Sequence, residues 1–455
     1  MEQTIAAVAT PPGVGGIAVI RISGETAYEV AEKVFCPVNK EKKLANAKGY
    51  TAMFGYFMND GAVADEVVAL CFRAPHSYTG EDVVELSCHG GSAVSEQLLR
   101  ACFAAGAKPA AAGEFTKRAF LNGRISLTQA EAVMDLISAG GKQGAAAAAA
   151  SMEGALYRKI QSVQDMLLSL QSHLAAYTDY PEEEVPELEP EVMQESISKA
   201  QSVLQTLIDG YDVGAVLRRG VPAAIVGSPN VGKSTLMNLL SGFERAIVTP
   251  VAGTTRDVVE QDLCLAGVQL HLADTAGIRQ TGDIVEAEGI RRSYAHLERA
   301  ALVLAVFDAS REITEEDIRL AEQCRGKAAI AILNKNDLKK RFDESRIADC
   351  FAEIISISAK DTSFLFHVEQ CVGRVLGTAH ADPDALLLAN ERQLAAAVKA
   401  RDALQEAQNT LSIGLTLDAA GVCVEDALDA LYELTGERAA EHVIDEVFAR
   451  FCVGK

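Results

Sequence analysis

Nowhere does this chain of 455 residues carry an uninterrupted apolar stretch long enough to cross a bilayer as a helix, roughly 18 residues or more. No membrane span is therefore expected. The opening MEQTIAAVATPPG starts acidic and lacks a basic n-region and a proper apolar h-region, so it does not read as a secretory leader. The expected compartment is the cytoplasm. None of the ten cysteines, at 36, 71, 88, 102, 264, 324, 350, 371, 423 and 452, stands in a CxxC pair, which argues against a zinc ribbon. A chain of this size needs no disulfide staples, and most of these thiols are expected in the core. An excess of positive charge is also missing: 42 basic residues against 63 acidic ones give a net charge of −21. Such a surface repels phosphate backbones, so any nucleic-acid contact must be local or shared with a partner.

What is present is the composition of a soluble globular protein, 49% apolar and 23% charged, long enough for about three domains. Residues 1–119 alternate β-rich runs, such as GGIAVIRISG (15–24) and DEVVALCFRAP (65–75), with the amphipathic GSAVSEQLLRACFAAGA (91–107). That pattern predicts an α+β domain. Residues 120–219 turn helical, including the run Ala145–Ala150, whose propensity favours helix. PEEEVPELEPE (181–191) interrupts them and reads as a solvated acidic loop or helix start. Over residues 220–378 strands and helices alternate through VPAAIVG, VQLHLADTAG, LVLAVFDAS, AAIAILNKND and EIISISAK. This rhythm predicts a mostly parallel sheet with helices on both faces. Residues 379–455 return to helix, with Leu428, Leu431 and Leu434, then Val443, Ile444, Val447 and Phe448, at helical spacing. The expected architecture is multidomain: an N-terminal α+β domain and a discontinuous helical domain that hosts an inserted α/β domain.

The inserted segment carries GSPNVGKST at Gly227–Thr235, after an apolar strand and before a plausible helix. This is the context of a phosphate-binding loop. Gly227 and Gly232 permit the tight turn that aims backbone N–H groups at phosphate oxygens. Asn230, Val231, Gly232, Lys233, Ser234 and Thr235 are the expected contact run, with Lys233 toward the β- and γ-phosphates and Ser234 toward Mg²⁺. DTAG follows at 274–277: Asp274 suits the metal shell, and Gly277, with Thr275 and Ala276, the γ-phosphate. In NKND, Asn334 and Lys335 accompany Asp337, which can accept two hydrogen bonds from guanine N1–H and its exocyclic amine, groups that adenine does not present. Ser358, Ala359 and Lys360 form SAK, where a backbone N–H suits the guanine carbonyl. Four motifs in this order predict a GTPase built on a Ras-like P-loop G domain.

Two features depart from the simplest GTPase. Ile278 stands directly after DTAG, where many relatives of Ras place a glutamine that orients water. Glu286 is a candidate replacement, or else a surface helix glutamate. Asn230 in the phosphate loop is accompanied in sequence by TPVAGTTRD (249–257), in which Thr255 suits Mg²⁺ coordination. Asn230 either stabilises its loop or joins carbonyls of Thr249–Thr254 around a monovalent cation beside the phosphates.

With these residues in place, the chain resembles the MnmE (TrmE) family of tRNA-modifying GTPases over essentially its whole length. Outside the GTPase motifs the likeness rests on ATPPGVGGIAVIRISG, TGEDVVELSCHGG, GEFTKRAFLNGRISLTQAEAVMDLI, GTTRD and the terminal FCVGK. The resemblance implies dimerisation through the N-terminal domain and action with the flavoprotein MnmG, which would carry the FAD, on carbon 5 of the wobble uridine of tRNA. It further implies addition of an aminomethyl-type group from a tetrahydrofolate derivative, and K⁺-stimulated hydrolysis as G domains meet. Carried over by motif, Asn230, Thr249, Val251 and Thr254 would hold K⁺, Ser234 and Thr255 would hold Mg²⁺, and Glu286 would position water. For folate the matching positions are Arg21, Glu85, Arg124 and Lys455; some relatives have lysine where this chain has Arg124. The residues themselves leave Arg21 and Glu85 open to an internal salt bridge as well. His89, in SCHGG, has no second ligand pattern near it and reads as an ordinary surface or core histidine.

The terminal Cys452 is not a prenylation site, since the chain ends in lysine and no polybasic run precedes it. A packing role and a chemical role both remain, and the resemblance favours a thiol in the modification chemistry. A second functional class, a GTP-switched RNA-binding assembly factor of the ribosome-associated type, lacks a recognisable basic RNA-binding module here.

Overall fold

The computed structural model describes residues 3–59, 61–179, 189–241, 261–272, 297–379, 387–413 and 416–455. Contacts divide the chain into two compact units. One comprises Met1–Met134, Tyr157–Ile197 and Asp402–Lys455, the other Asp135–Leu156 and Ser198–Arg401.

In the first unit seven strands form one sheet: β1 (Ile5–Val8), β2 (Ile17–Ser23), β3 (Phe35–Pro37), β4 (Thr51–Asn59), β5 (Ala62–Phe72), β6 (Val83–His89) and β7 (Lys108–Pro109). Their order is β3-β4-β5-β6-β2-β1-β7. All neighbours are antiparallel except β1 and β7. Alternation in β2 explains the layering: Ala18, Ile20 and Ile22 join one core with Ala31 of helix Ala27–Val34 and Leu98 and Cys102 of helix Ser92–Ala104. Arg21, between them in sequence, points to the other face, opposite Glu85 of β6. Later in this unit, helix Leu417–Thr435 buries Leu428, Leu431 and Leu434 and ends at Gly436, whose φ of 91° closes it in the left-handed region. Helix Glu441–Ala449 follows. Phe448 and Phe451 pack with Leu127 and Ala130. Full burial of a side chain of this size stabilises by about 1.5–3 kcal/mol.

The second unit is built on six strands: β8 (Val221–Val226), β9 (Gln261–Leu265), β10 (Val268–Leu272), β11 (Leu302–Asp308), β12 (Ala328–Asn334) and β13 (Glu353–Ser356). The order β13-β12-β11-β8-β10-β9 is parallel throughout but for the edge strand β9. β11 is buried along its whole length. Its Leu302, Leu304 and Val306 meet helices Lys233–Ser241 and Leu365–Val375 on one face. Val303, Ala305 and Phe307 meet helix Glu315–Cys324 on the other. Helices on both faces of a mostly parallel sheet are what the alternating sequence predicts. The expected strands are all present, and β9 is an addition to them.

The contact-defined units cut the chain differently from the four-segment partition read from the sequence. Helices Lys142–Met152 and Tyr211–Arg219 fall with the nucleotide-binding sheet, because Ala147 and Leu217 share one core with Val221 of β8 and Leu270 of β10.

Candidate nucleotide site and C-terminal tail

β8 runs directly into the phosphate loop, and helix Lys233–Ser241 leaves it. Two glycines are required by position. A Cβ on Gly227 (φ 153°) would stand 2.3 Å from the Val306 carbonyl oxygen, and one on Gly232 (φ 103°) 2.1 Å from Asn334 Nδ2. Asn230 also lies in the left-handed region, at φ 60°, which asparagine adopts more readily than most residues. It is exposed, as are Ser234 and Thr235, while Val231 is buried. Lys233 Nζ donates to the carbonyls of Gly227 at 2.6 Å and Ser228 at 2.9 Å. Burial pushes its pKa down, with Glu316 opposing.

Asn334 ends β12 and joins the loop to the base-reading segments. Its Nδ2 donates to Val231 O at 2.8 Å, and its Oδ1 accepts from Ala359 N at 2.9 Å. The parallel register places Asp308 of β11 opposite Asn334. Asp308 then receives the Lys335 ammonium at 2.6 Å, with Lys335 held at φ 67°. Burial raises the Asp308 pKa, but the bonds from Lys335 and Ser310 outweigh it and hold the carboxyl below its usual range. Asp337 is exposed and accepts from Ser358 Oγ at 3.1 Å. Lys360 is exposed. The arrangement places a phosphate-cradling loop, a carboxylate suited to guanine and the SAK backbone after the C-terminal ends of β8, β12 and β13.

In the first unit the C-terminal tail returns to the N-terminal residues. Gly113 N donates to Cys452 O at 3.4 Å and Phe115 N to Lys455 O at 3.2 Å, around a bridge between Ala112 and Val453. Gly454 takes φ 97°, and a Cβ there would meet Val8 O at 2.2 Å. Arg21 donates from Nε to Glu85 Oε1 at 2.7 Å and from Nη1 to Gly454 O at 3.4 Å. Its guanidinium lies 5.2 Å from the Tyr78 ring centre and 5.5 Å from that of Phe115. Arg124 Nε donates to the carbonyl of Ser77, the neighbour of Tyr78, at 3.2 Å. Cys452 is exposed, so it is no core residue. His89 is engaged with Asp65, Nδ1 to Oδ1 at 2.6 Å, a bond that raises its pKa.

Family models match along most of the chain. A model described as the GTP-binding protein TrmE N-terminus matches residues 4–124, and one described as the MnmE helical domain matches residues 127–452. Proteins named tRNA modification GTPase MnmE align along the entire chain. That of Symbiobacterium thermophilum is 42% identical, covering 100% of both chains. That of Alkaliphilus metalliredigens is 40% identical, again over 100% of both. That of Lactococcus lactis subsp. cremoris is 41% identical over 100% of this chain and 98% of its own. The chain belongs to the MnmE family.

For a member of the MnmE family, the structure brings together Asn230 to Thr235, Asn334, Lys335, Asp337 and Ser358 to Lys360 in one unit, and Arg21, Glu85 and the tail in the other. Thr249, Val251, Thr254, Thr255, Asp274, Thr275, Ala276, Gly277, Ile278 and Glu286 lie outside the described residues. Sequence reasoning missed three supports. Asp308 holds Lys335. Asp317, fully buried, accepts from Ser228 Oγ at 3.2 Å and Arg311 Nη2 at 2.9 Å beneath the phosphate loop. Tyr78 and Phe115 both bring a ring face to the Arg21 guanidinium. The signal for Asp317 was present as a capping box with Thr314; nothing local marks the others.

Proposed function

We propose that this chain is the GTP-hydrolysing component of a tRNA wobble-uridine modification complex. It acts as a homodimer with the flavoprotein MnmG, the FAD being held by that partner, and directs an aminomethyl-type group to carbon 5 of uridine. The observation that carries the GTP-dependent part is the Asn334 bridge, which locks the phosphate loop to the SAK backbone beside Asp337. Family membership along the whole chain supports the tRNA part.

The residues present fit the small groups this reading requires. Mg²⁺ and K⁺, when bound, supply positive charge to the β- and γ-phosphates. Ser234, exposed at the first turn of its helix, would hold Mg²⁺ with Thr255. Asn230, exposed at φ 60°, would present its amide oxygen to K⁺ with Thr249, Val251 and Thr254. Glu286 would orient the attacking water, and Lys233 would bind the phosphates.

A tetrahydrofolate derivative, when bound, supplies the one-carbon unit. Among the described residues Glu85 Oε2 accepts no hydrogen bond, so it suits a ring N–H, while Arg21, Arg124 and Lys455 offer cations to carboxylates. Exposed Cys452 would present its sulfur beside that donor. In this reading residues 1–119 bind folate and dimerise, 220–378 form the G domain, and 120–219 with 379–455 make the helical domain.

The cation supplies the test. Purified protein should hydrolyse GTP faster in K⁺ than in Na⁺, and Asn230→Ala should abolish that difference with nucleotide affinity largely retained. Equal rates in both salts for the unaltered protein would remove the cation from the account.

A further inference from the structure

We infer that the cleft opening beside Tyr50 is an RNA-docking surface that stacks an unpaired nucleotide, with the loop before it steering the phosphates. This inference rests on the tRNA reading above and gives it a place on the chain. The reasons begin with charge. In a chain of net charge −21, residues 38–50 carry Lys40, Lys42, Lys43 and Lys48 against a single acid, Glu41. All of these charged side chains are exposed. This is the local basic contact that so acidic a protein needs in order to approach a phosphate backbone.

The loop is also built rather than loose. Arg73 donates from Nε to Ala47 O at 3.2 Å and from Nη2 to Ala45 O at 2.6 Å, and Glu32 Oε1 accepts from Ala45 N at 3.0 Å. Thr51 Oγ1 donates to Lys48 O at 2.6 Å. At its end Tyr50 is 71% exposed and adopts φ 60°, a conformation an aromatic residue rarely takes. Burial does not explain that geometry, because the side chain is largely in solvent. Such an outlier points to function.

Tyr50 meets Phe72 edge to face at 5.8 Å, and both line a cleft of about 490 Å³ with Ser77, Tyr78, Arg124 and Ile125. Aromatic rings beside lysines and an arginine are the combination that holds single-stranded nucleic acid: rings stack on bases, cations track the phosphates. A free folate would use the arginine for its carboxylate but would leave the lysine loop and the strained, projecting Tyr50 without a purpose. The cleft also lies beside Tyr78, which covers Arg21. An extruded base there would sit near the residues expected to hold the one-carbon donor.

The experiment is fluorescence anisotropy of a labelled tRNA anticodon stem-loop titrated with full-length protein at several salt concentrations. It compares the unaltered chain with Tyr50→Ala, Tyr50→Phe and the pair Lys42→Glu, Lys43→Glu. Tyr50→Ala should weaken binding roughly fivefold to a hundredfold, and Tyr50→Phe should restore it. The paired change should weaken binding and lower the salt slope by about one for each lost phosphate contact. GTP hydrolysis by each variant, measured alongside, should be unchanged. Unaltered RNA affinity in Tyr50→Ala and in the paired lysine variant would overturn the proposal while leaving the tRNA reading intact. Loss of tetrahydrofolate binding with RNA affinity retained would assign the cleft to folate and overturn it likewise. Failure of the unaltered protein to bind the stem-loop would overturn the tRNA reading and the proposal together.

Discussion

Asn334 Nδ2 donates to the carbonyl of Val231 at 2.8 Å across 103 positions of sequence, so a base-loop residue fixes the phosphate loop. The same amide serves Ala359 N through Oδ1, and Asn334 is 4% exposed. Asn334→Ala leaves a buried carbonyl and a buried N–H without partners, each costing about 1–3 kcal/mol. Guanine nucleotide affinity is expected to fall at least about tenfold. Titration with a fluorescent GDP analogue measures this, and an unchanged Kd would show that the bridge is incidental.

Asp337 is the residue we propose as the reader of the base. Asp337→Asn replaces a pure acceptor with a group that also donates, which opposes the exocyclic amine of guanine and suits the oxygen that xanthine carries in its place. Preference should move from GTP toward xanthosine triphosphate in competition binding. Undiminished GTP affinity would mean that another residue reads guanine.

The pairing of Asp308 with Lys335 makes part of the stability depend on pH. Its carboxyl is held below the ordinary 3.8 in the folded chain, so its stabilisation is present above that value and is lost as pH falls through the folded pKa. The Tm gap between the unaltered protein and Asp308→Asn should be constant above about pH 5 and should close on further acidification. A gap that grows toward acid would contradict the direction of this shift.

Much of the nucleotide unit was legible because its strands are short apolar runs ending in motifs whose chemistry fixes their role. β9 was not, although the turn Ala266–Gly267, with both φ values positive, separates two alternating runs as a hairpin would. Asp308 was read only as the end of a strand; its meaning comes from a parallel register with β12, which no local pattern encodes. The ion pair between Arg21 and Glu85 likewise depends on antiparallel register across 64 positions. Cys452 was undecided in sequence terms because a cysteine beside an apolar helix suits a core equally well. The structure turns Phe448 and Phe451 inward and leaves Cys452 exposed.

That exposure makes Cys452→Ser a clean substitution. Serine removes the thiol with little change in volume, at a position that buries nothing. Tm, GTP binding and GTP hydrolysis should stay near those of the unaltered protein while tRNA modification is lost or sharply lowered. Full modification by the serine variant, assayed on purified tRNA with the flavoprotein, would return the residue to a structural role. Gly454→Ala provides a contrast, since its Cβ would strike Val8 O and displace the tail itself.

The central claim is tested most directly by mass spectrometry of wobble nucleosides in tRNA from cells lacking this gene. The account expects the carbon-5 aminomethyl-type uridine derivatives to disappear and to return on complementation with the unaltered chain, but not with Asn334→Ala. Normal levels of those nucleosides in the deletion strain would contradict it.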